Sequence, residues 1–226
     1  MTAGGGSGIE AVIFDLDGVI VDSEIWWDEA RRDFAAQRGR SWSEADRATV
    51  MGANSRQWSA TMRERLDLDE PDTRIERAIV DAVVQRYRRE GAPGIPGAVE
   101  AVRRIAVAWP TAVASSAHRE VIDAALQATG LAGLFRVVVS SDEVERGKPE
   151  PDVYLEAARR LRVEPGACLV VEDSLNGVKA AKAAGMTCVL VPNRTIPPAP
   201  GAAELADVVL ERLTDLDPKA TVRTHA

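Results

Sequence analysis

A doubly wound, Rossmann-like parallel α/β sheet with a helical insertion after its first strand is predicted for this 226-residue chain by three observations. Short apolar runs of strand length recur along the chain with helix-like segments between them, as in parallel sheets buried on both faces. The alternation breaks once, across residues 23–91, where helical pattern continues without a convincing strand. Polar residues able to carry chemistry follow the apolar runs, at the end where open α/β sheets bind ligands.

The first run, Ala11-Val12-Ile13-Phe14, closes on Asp15-Leu16-Asp17-Gly18-Val19. The stretch after it is too long for a loop and rich in Arg, Glu, Ala and Trp, so it reads as a compact helical unit. Trp26, Trp27, Trp42 and Trp58 fall within it, and packing of its core is the expected role for most of them, with some facing a ligand. Pro93-Gly94-Ile95-Pro96-Gly97 marks the return to the sheet. Runs at 111–114, 137–139, 168–171 and 188–191 read as the next strands. Helical spacing at 119–129 and 152–161, ending near Gly130 and before Val163, supplies crossovers. The expected division is a tail at 1–8, a Rossmann-like core at 9–22 and 97–226, and a helical cap at 23–96. The four glycines of the tail segment offer no means of burying surface.

Composition narrows the function. An apolar content of 46% is enough for a sizeable core, and a net charge of −7 argues against nucleic acid, which requires a basic footprint. No apolar run approaches the roughly 18 to 20 residues of a membrane span, and a cytoplasmic protein is expected, its oligomeric state left open with a monomer favoured. Cys168 and Cys188 each sit in an apolar run and read as buried reduced thiols.

If the strands are parallel, Asp15 and Asp17, Ser115 and Ser116, Lys148, and Glu172 and Asp173 converge at one edge of the sheet. Acids so close repel one another, and a divalent cation is the usual remedy. Oxygen ligands without histidine suit Mg2+. The same cation would neutralise a phosphoryl oxygen, with Lys148 and the Ser115 hydroxyl on the others. Asp15 would then be free to attack phosphorus, and Asp17 to protonate the leaving oxygen and later deprotonate water. Each signal alone has a plain structural reading: an Asp-x-Asp turn, a solvated lysine, or a helix cap at Ser115, Ser116 or Asp173-Ser174. Their order and spacing together are what favour chemistry.

Asp15-Leu16-Asp17-Gly18, Ser115-Ser116, Gly147-Lys148-Pro149 and Glu172-Asp173-Ser174-x-Asn176-Gly177 resemble the four motifs of the haloacid dehalogenase superfamily. The helices after the first strand resemble the cap of the subgroup that holds β-phosphoglucomutase and sugar-phosphate phosphatases. The resemblance implies that Asp15 is the nucleophile and Asp17 the acid/base, whose backbone carbonyl also ligates Mg2+. It implies phosphate binding by Ser115 and Lys148, with Ser116 beside them, and a phosphate loop shaped by Gly18. Asp173 would be a metal ligand, and Glu172 a direct or water-bridged one. True dehalogenases lack the second acid, so Asp17 argues for phosphate. Phosphonatase relatives use a cap lysine, and residues 31–85 contain none. Mutases of the subgroup carry a histidine where this chain has Trp27. Gly52-Ala53-Asn54-Ser55-Arg56 resembles the subgroup's specificity loop, which makes Asn54 and Arg56 candidate substrate contacts. His118 and Arg119 stand near the expected phosphate, whereas His225 has no evident role.

The expected activity is Mg2+-dependent hydrolysis of a small phosphate monoester, of a sugar or polyol, through an aspartyl phosphate. A phosphosugar mutase and an idle relative that binds a phosphorylated metabolite are the alternatives.

Overall fold

The computed structural model describes residues 8–50 and 53–221. The expected tail therefore lies outside the described residues except for Gly8, as do Gly52 and His225. Six parallel strands form one sheet in the order β3-β2-β1-β4-β5-β6. β1 (Ala11–Phe14) is buried along its whole length. Val12 and Phe14 pack into one apolar layer and Ala11 and Ile13 into the other, which is why the strand reads as unbroken apolar sequence. β2 (Thr111–Ser115), β3 (Val137–Ser140) and β4 (Cys168–Glu172) each run one residue beyond the apolar stretch, so a polar residue closes each strand. β5 is Thr187–Leu190, one residue earlier than expected at both ends. β6 (Val208–Val209) is an additional edge strand, too short to leave a periodic signal.

Between β1 and α5 (Ala98–Ala108) stand four helices: α1 (Glu24–Ala36), α2 (Glu44–Val50), α3 (Ser55–Leu66) and α4 (Asp72–Glu90). Trp58, Met62, Ile75, Ile79 and Val83 are buried among them and join the apolar layer of β1. Trp42 is buried too, while half-buried Trp26 meets Tyr87 edge-on with ring centroids 5.0 Å apart. The chain leaves and re-enters the core through adjacent segments. The Asp22 amide donates to the Pro93 carbonyl at 2.8 Å, and the Ile95 amide to the Ile20 carbonyl at 3.2 Å. Polar contacts tie the insertion to the core: Arg77 pairs with Glu120 at 2.7 Å, the Ser55 hydroxyl donates to Asp142 at 3.0 Å, and His118 lies 3.9 Å from Glu76.

The crossover helices α6 (Arg119–Ala128) and α7 (Asp152–Leu161) fall where their spacing predicts, and α8 (Leu175–Ala183) follows β4. Cys168 and Cys188 are buried free thiols. Among the described residues no helix is long and apolar enough to cross a membrane.

Candidate active site

Register brings the motif residues level with one another. Phe14 pairs with Val113 on one side and Val171 on the other, so Asp15 emerges beside the ends of β2 and β4. The chain order reverses direction across the sheet between β1 and β4, the crevice where open α/β sheets bind ligands.

Lys148, from the loop after β3, spans that crevice. Its ammonium donates to Asp15 Oδ1 at 2.5 Å and to Glu172 Oε1 at 2.6 Å. The Tyr154 hydroxyl of α7 donates to the same Glu172 oxygen at 2.6 Å. Glu172 Oε2 accepts from the Asp173 and Ser174 amides and from the Ser174 hydroxyl, at 3.0, 3.1 and 3.0 Å. Both of its oxygens are thereby occupied. Burial alone would raise the Glu172 carboxyl, but Lys148 and the hydrogen bonds hold it below the usual range.

Two glycines make room for the acids. At Gly18, with φ +84°, a Cβ would lie 1.9 Å from Asp173 Oδ2. At Gly177 a Cβ would lie 1.7 Å from Glu172 Oε1, so the first turn of α8 closes directly over that carboxylate. Ser174 caps α8, its hydroxyl accepting from the Gly177 amide at 3.1 Å.

Asp17 accepts a hydrogen bond from the Ser23 hydroxyl, and burial raises its pKa. Ser115 is buried at the end of β2, with its oxygen accepting from the Ala117 amide at 3.1 Å. The Ser140 hydroxyl, donating to the Ala117 carbonyl at 2.7 Å, fixes that turn from β3.

Asp15, Asp17, Ser115, Ser116, Lys148 and Asp173 all line one cavity of about 410 Å³. Its opposite wall comes from the insertion, where Glu24, Trp27 and Arg31 project from one face of α1 and Trp58 from α3. Asn54 and Arg56 are not among the lining residues. Asn54 caps α3, accepting from the Gln57 amide at 3.0 Å. His118 and Arg119 also stand outside the cavity, the first capping α6 and the second paired with Asp123 at 3.0 Å. Sequence reasoning passed over Glu24 and Arg31, although the spacing 24, 27, 31 places three residues on one helical face next to the Asp-x-Asp turn. The Ile196-Pro197-Pro198-Ala199 segment, which closes another side, was also missed. Asp22 anchors the loop that carries it, accepting from Thr195 at 2.5 Å and Asn193 at 3.2 Å.

The donor set fits a hard divalent cation. Oxygens of Asp15, Glu172 and Asp173 lie within 4.8 Å of one another. Burial, opposed by Lys148 and reinforced by Glu172, pushes the Asp15 carboxyl up to about 8. Burial, then Glu172 and Asp15, hold Asp173 well above the carboxylate range. One ammonium thus leaves the site with more carboxylate than it can ionise, and a cation would correct the imbalance.

A pH-dependent cation effect follows. An acid whose pKa is higher folded than unfolded costs stability as pH rises from its ordinary value of 3.8 toward about 8, and protons compete with a cation below that point. Mg2+ is therefore expected to raise the melting temperature more at pH 8 than at pH 5, measured by thermal unfolding with and without chelator. An equal or smaller shift at pH 8 would contradict the assignment.

Comparison with known proteins agrees with this geometry. The family model of haloacid dehalogenase-like hydrolases matches residues 9–185. The chain is 38% identical over 189 residues to Protein SUPPRESSOR OF QUENCHING 1, chloroplastic, of Arabidopsis thaliana, covering 81% of itself and only 18% of that longer protein. It is 32% identical over 228 residues to Hexitol phosphatase B of Escherichia coli (strain K12), covering 93% of itself and 96% of that protein. Its fold superposes on CbbY from Rhodobacter sphaeroides, solved in complex with phosphate. The TM-score is 0.79 at 26% identity, over 95% of this chain and 99% of that one.

Proposed function

The chain belongs to the haloacid dehalogenase-like hydrolases, and from that premise we propose that it is a Mg2+-dependent phosphatase of a small sugar or polyol phosphate. The observation that carries the proposal is the pairing of buried Asp15 and Lys148 with a second acid, Asp17, on the wall of one cavity.

In this reading Asp15 attacks phosphorus in line with the leaving oxygen, forming a P–O bond to its carboxylate as the ester P–O bond breaks. Asp17, favoured in its protonated form by burial, delivers a proton to the departing alkoxide. The ionised Asp17 then takes a proton from water, which attacks phosphorus and returns Asp15 and inorganic phosphate. Lys148 and the Ser115 hydroxyl hold phosphoryl oxygens, and Lys148 keeps Asp15 aimed at the cavity. Asp15 and Asp173 would hold Mg2+, with Glu172, already saturated with donors, positioning Lys148 and reaching the cation through water. When bound, the cation neutralises phosphoryl charge and lets the clustered carboxylates ionise together.

The helical insertion, residues 23–96, is read as a cap that shields the reaction from water and bears specificity. Trp27 supports hydrolysis over mutase chemistry, because an indole offers no group that shuttles a proton at neutral pH. The similarity to a hexitol phosphatase supports a hydroxylated carbon chain as the substrate body. A cavity of 410 Å³ falls in the roughly 300–1,000 Å³ range of small-molecule sites.

The test is phosphate release from a panel of sugar, polyol and aryl phosphates, with Mg2+ and with chelator. Release from a few members that stops with chelator is the expected result. Silence with every member, the aryl phosphate included, would overturn the phosphatase reading.

A further inference from the structure

We propose that Arg31 recognises a second oxyanion, a carboxylate or phosphate, at the end of the substrate remote from the phosphoryl group that is cleaved. The inference rests on the phosphatase reading of the same cavity and specifies its substrate class.

Arg31 is only 6% exposed, yet it lines the cavity, and its Nε has no hydrogen-bond partner. Its guanidinium carbon lies 5.4 Å from the ring centroids of both Trp27 and Trp58, whose own centroids are 6.1 Å apart. Two indole faces hold the cation and keep water from it, but they accept none of its N–H donors strongly.

Two carboxylates, Glu24 and Asp28, act on Arg31 through their charge, but neither forms an ion pair with it among the described residues. Asp28, three residues earlier on α1, pairs with Arg32 at 2.8 Å and does not line the cavity. Glu24 shares the lining face but makes no ion pair with Arg31 among the described residues. Lys148, the other cation on the wall, is committed to Asp15 and Glu172. Arg31 is thus the one lining cation of the described residues with no carboxylate in contact.

A buried guanidinium with an unmet N–H and no carboxylate in contact is expensive, and an anionic ligand in the cavity would complete it. A neutral hydroxyl would satisfy one donor and leave the charge unmet. A carboxylate or phosphate meets both charge and fork geometry, because the planar guanidinium matches two oxygens at once.

The experiment compares three ligands of equal carbon length: glucitol 6-phosphate, gluconate 6-phosphate and glucitol 1,6-bisphosphate. Calorimetric binding with Mg2+ is measured in an Asp15→Asn background, with and without Arg31→Gln, so turnover is not required. At least one acidic-ended ligand is expected to bind about ten- to a hundredfold tighter than glucitol 6-phosphate, the range of a charged hydrogen-bonded contact. Arg31→Gln is expected to erase that preference while changing glucitol 6-phosphate binding by less than about threefold. Which acidic ligand gains identifies the oxyanion. Equal binding of all three, or an equal loss for all three in Arg31→Gln, would overturn the inference. Arg31→Met separates recognition from packing: its melting temperature without ligand is expected to be no lower than that of the parent, since a buried charge with an unmet N–H and no ion pair is removed. A clear drop would assign Arg31 to structure instead. A wild-type enzyme that hydrolyses aryl phosphate but shows no acidic-end preference refutes this inference and leaves the phosphatase reading intact.

Discussion

Asp15→Asn is expected to lower phosphate release by about 10⁴-fold or more, the scale of losing a catalytic nucleophile. Its fold should survive. Asparagine keeps the shape of the side chain, and the wild-type carboxyl, pushed up to about 8 by burial, is already held toward its neutral form at pH 7. The melting temperature should therefore stay within a few degrees of wild type, and phosphate release with saturating Mg2+ is the measurement. Activity within about tenfold of wild type would remove Asp15 from the chemistry.

Lys148→Met is the second large effect, and it acts on both stability and rate. Lys148 is buried between Asp15 and Glu172, each at hydrogen-bond distance, so its loss strands two acids in a site with little water. Removing one partner of a buried ion pair costs about 3–5 kcal/mol. Without the ammonium both carboxyl pKa values rise, Asp15 from a value already raised and Glu172 from one now held low, so the folded state retains protons that the unfolded state releases and stability falls as pH rises. The denaturant midpoint should thus drop more at pH 8 than at pH 5, with activity lost along with the phosphate contact. A pH-independent loss would mean that Lys148 contributes packing rather than charge.

Much of this was legible before the fold was seen. Strands buried on both faces are apolar along most of their length, so β1 to β5 stand out, and the residue that follows β1 and those that end β2 and β4 are polar because the crevice requires them. Other features escape for physical reasons. β6 has two residues, fewer than any pattern needs. The contact of Tyr154 with Glu172 joins a helix to a strand 18 residues on, a pairing that depends on how α7 packs. Within the helical insertion, a resemblance of loop sequence pointed to Asn54 and Arg56, whereas Glu24, Trp27 and Arg31 are the residues that line the cavity. Helical spacing marks those three as a face, but only the docked position of α1 makes it the face toward the sheet.

The central claim is that phosphorus passes through Asp15. Rapid acid quench during turnover, followed by borohydride reduction and peptide mass spectrometry, tests it directly, because an aspartyl phosphate is reduced to homoserine. The account expects homoserine at position 15, requiring both substrate and Mg2+ and absent at Asp17 and Asp173. Phosphate release with Asp15 unmodified throughout would instead mean that water attacks the substrate directly.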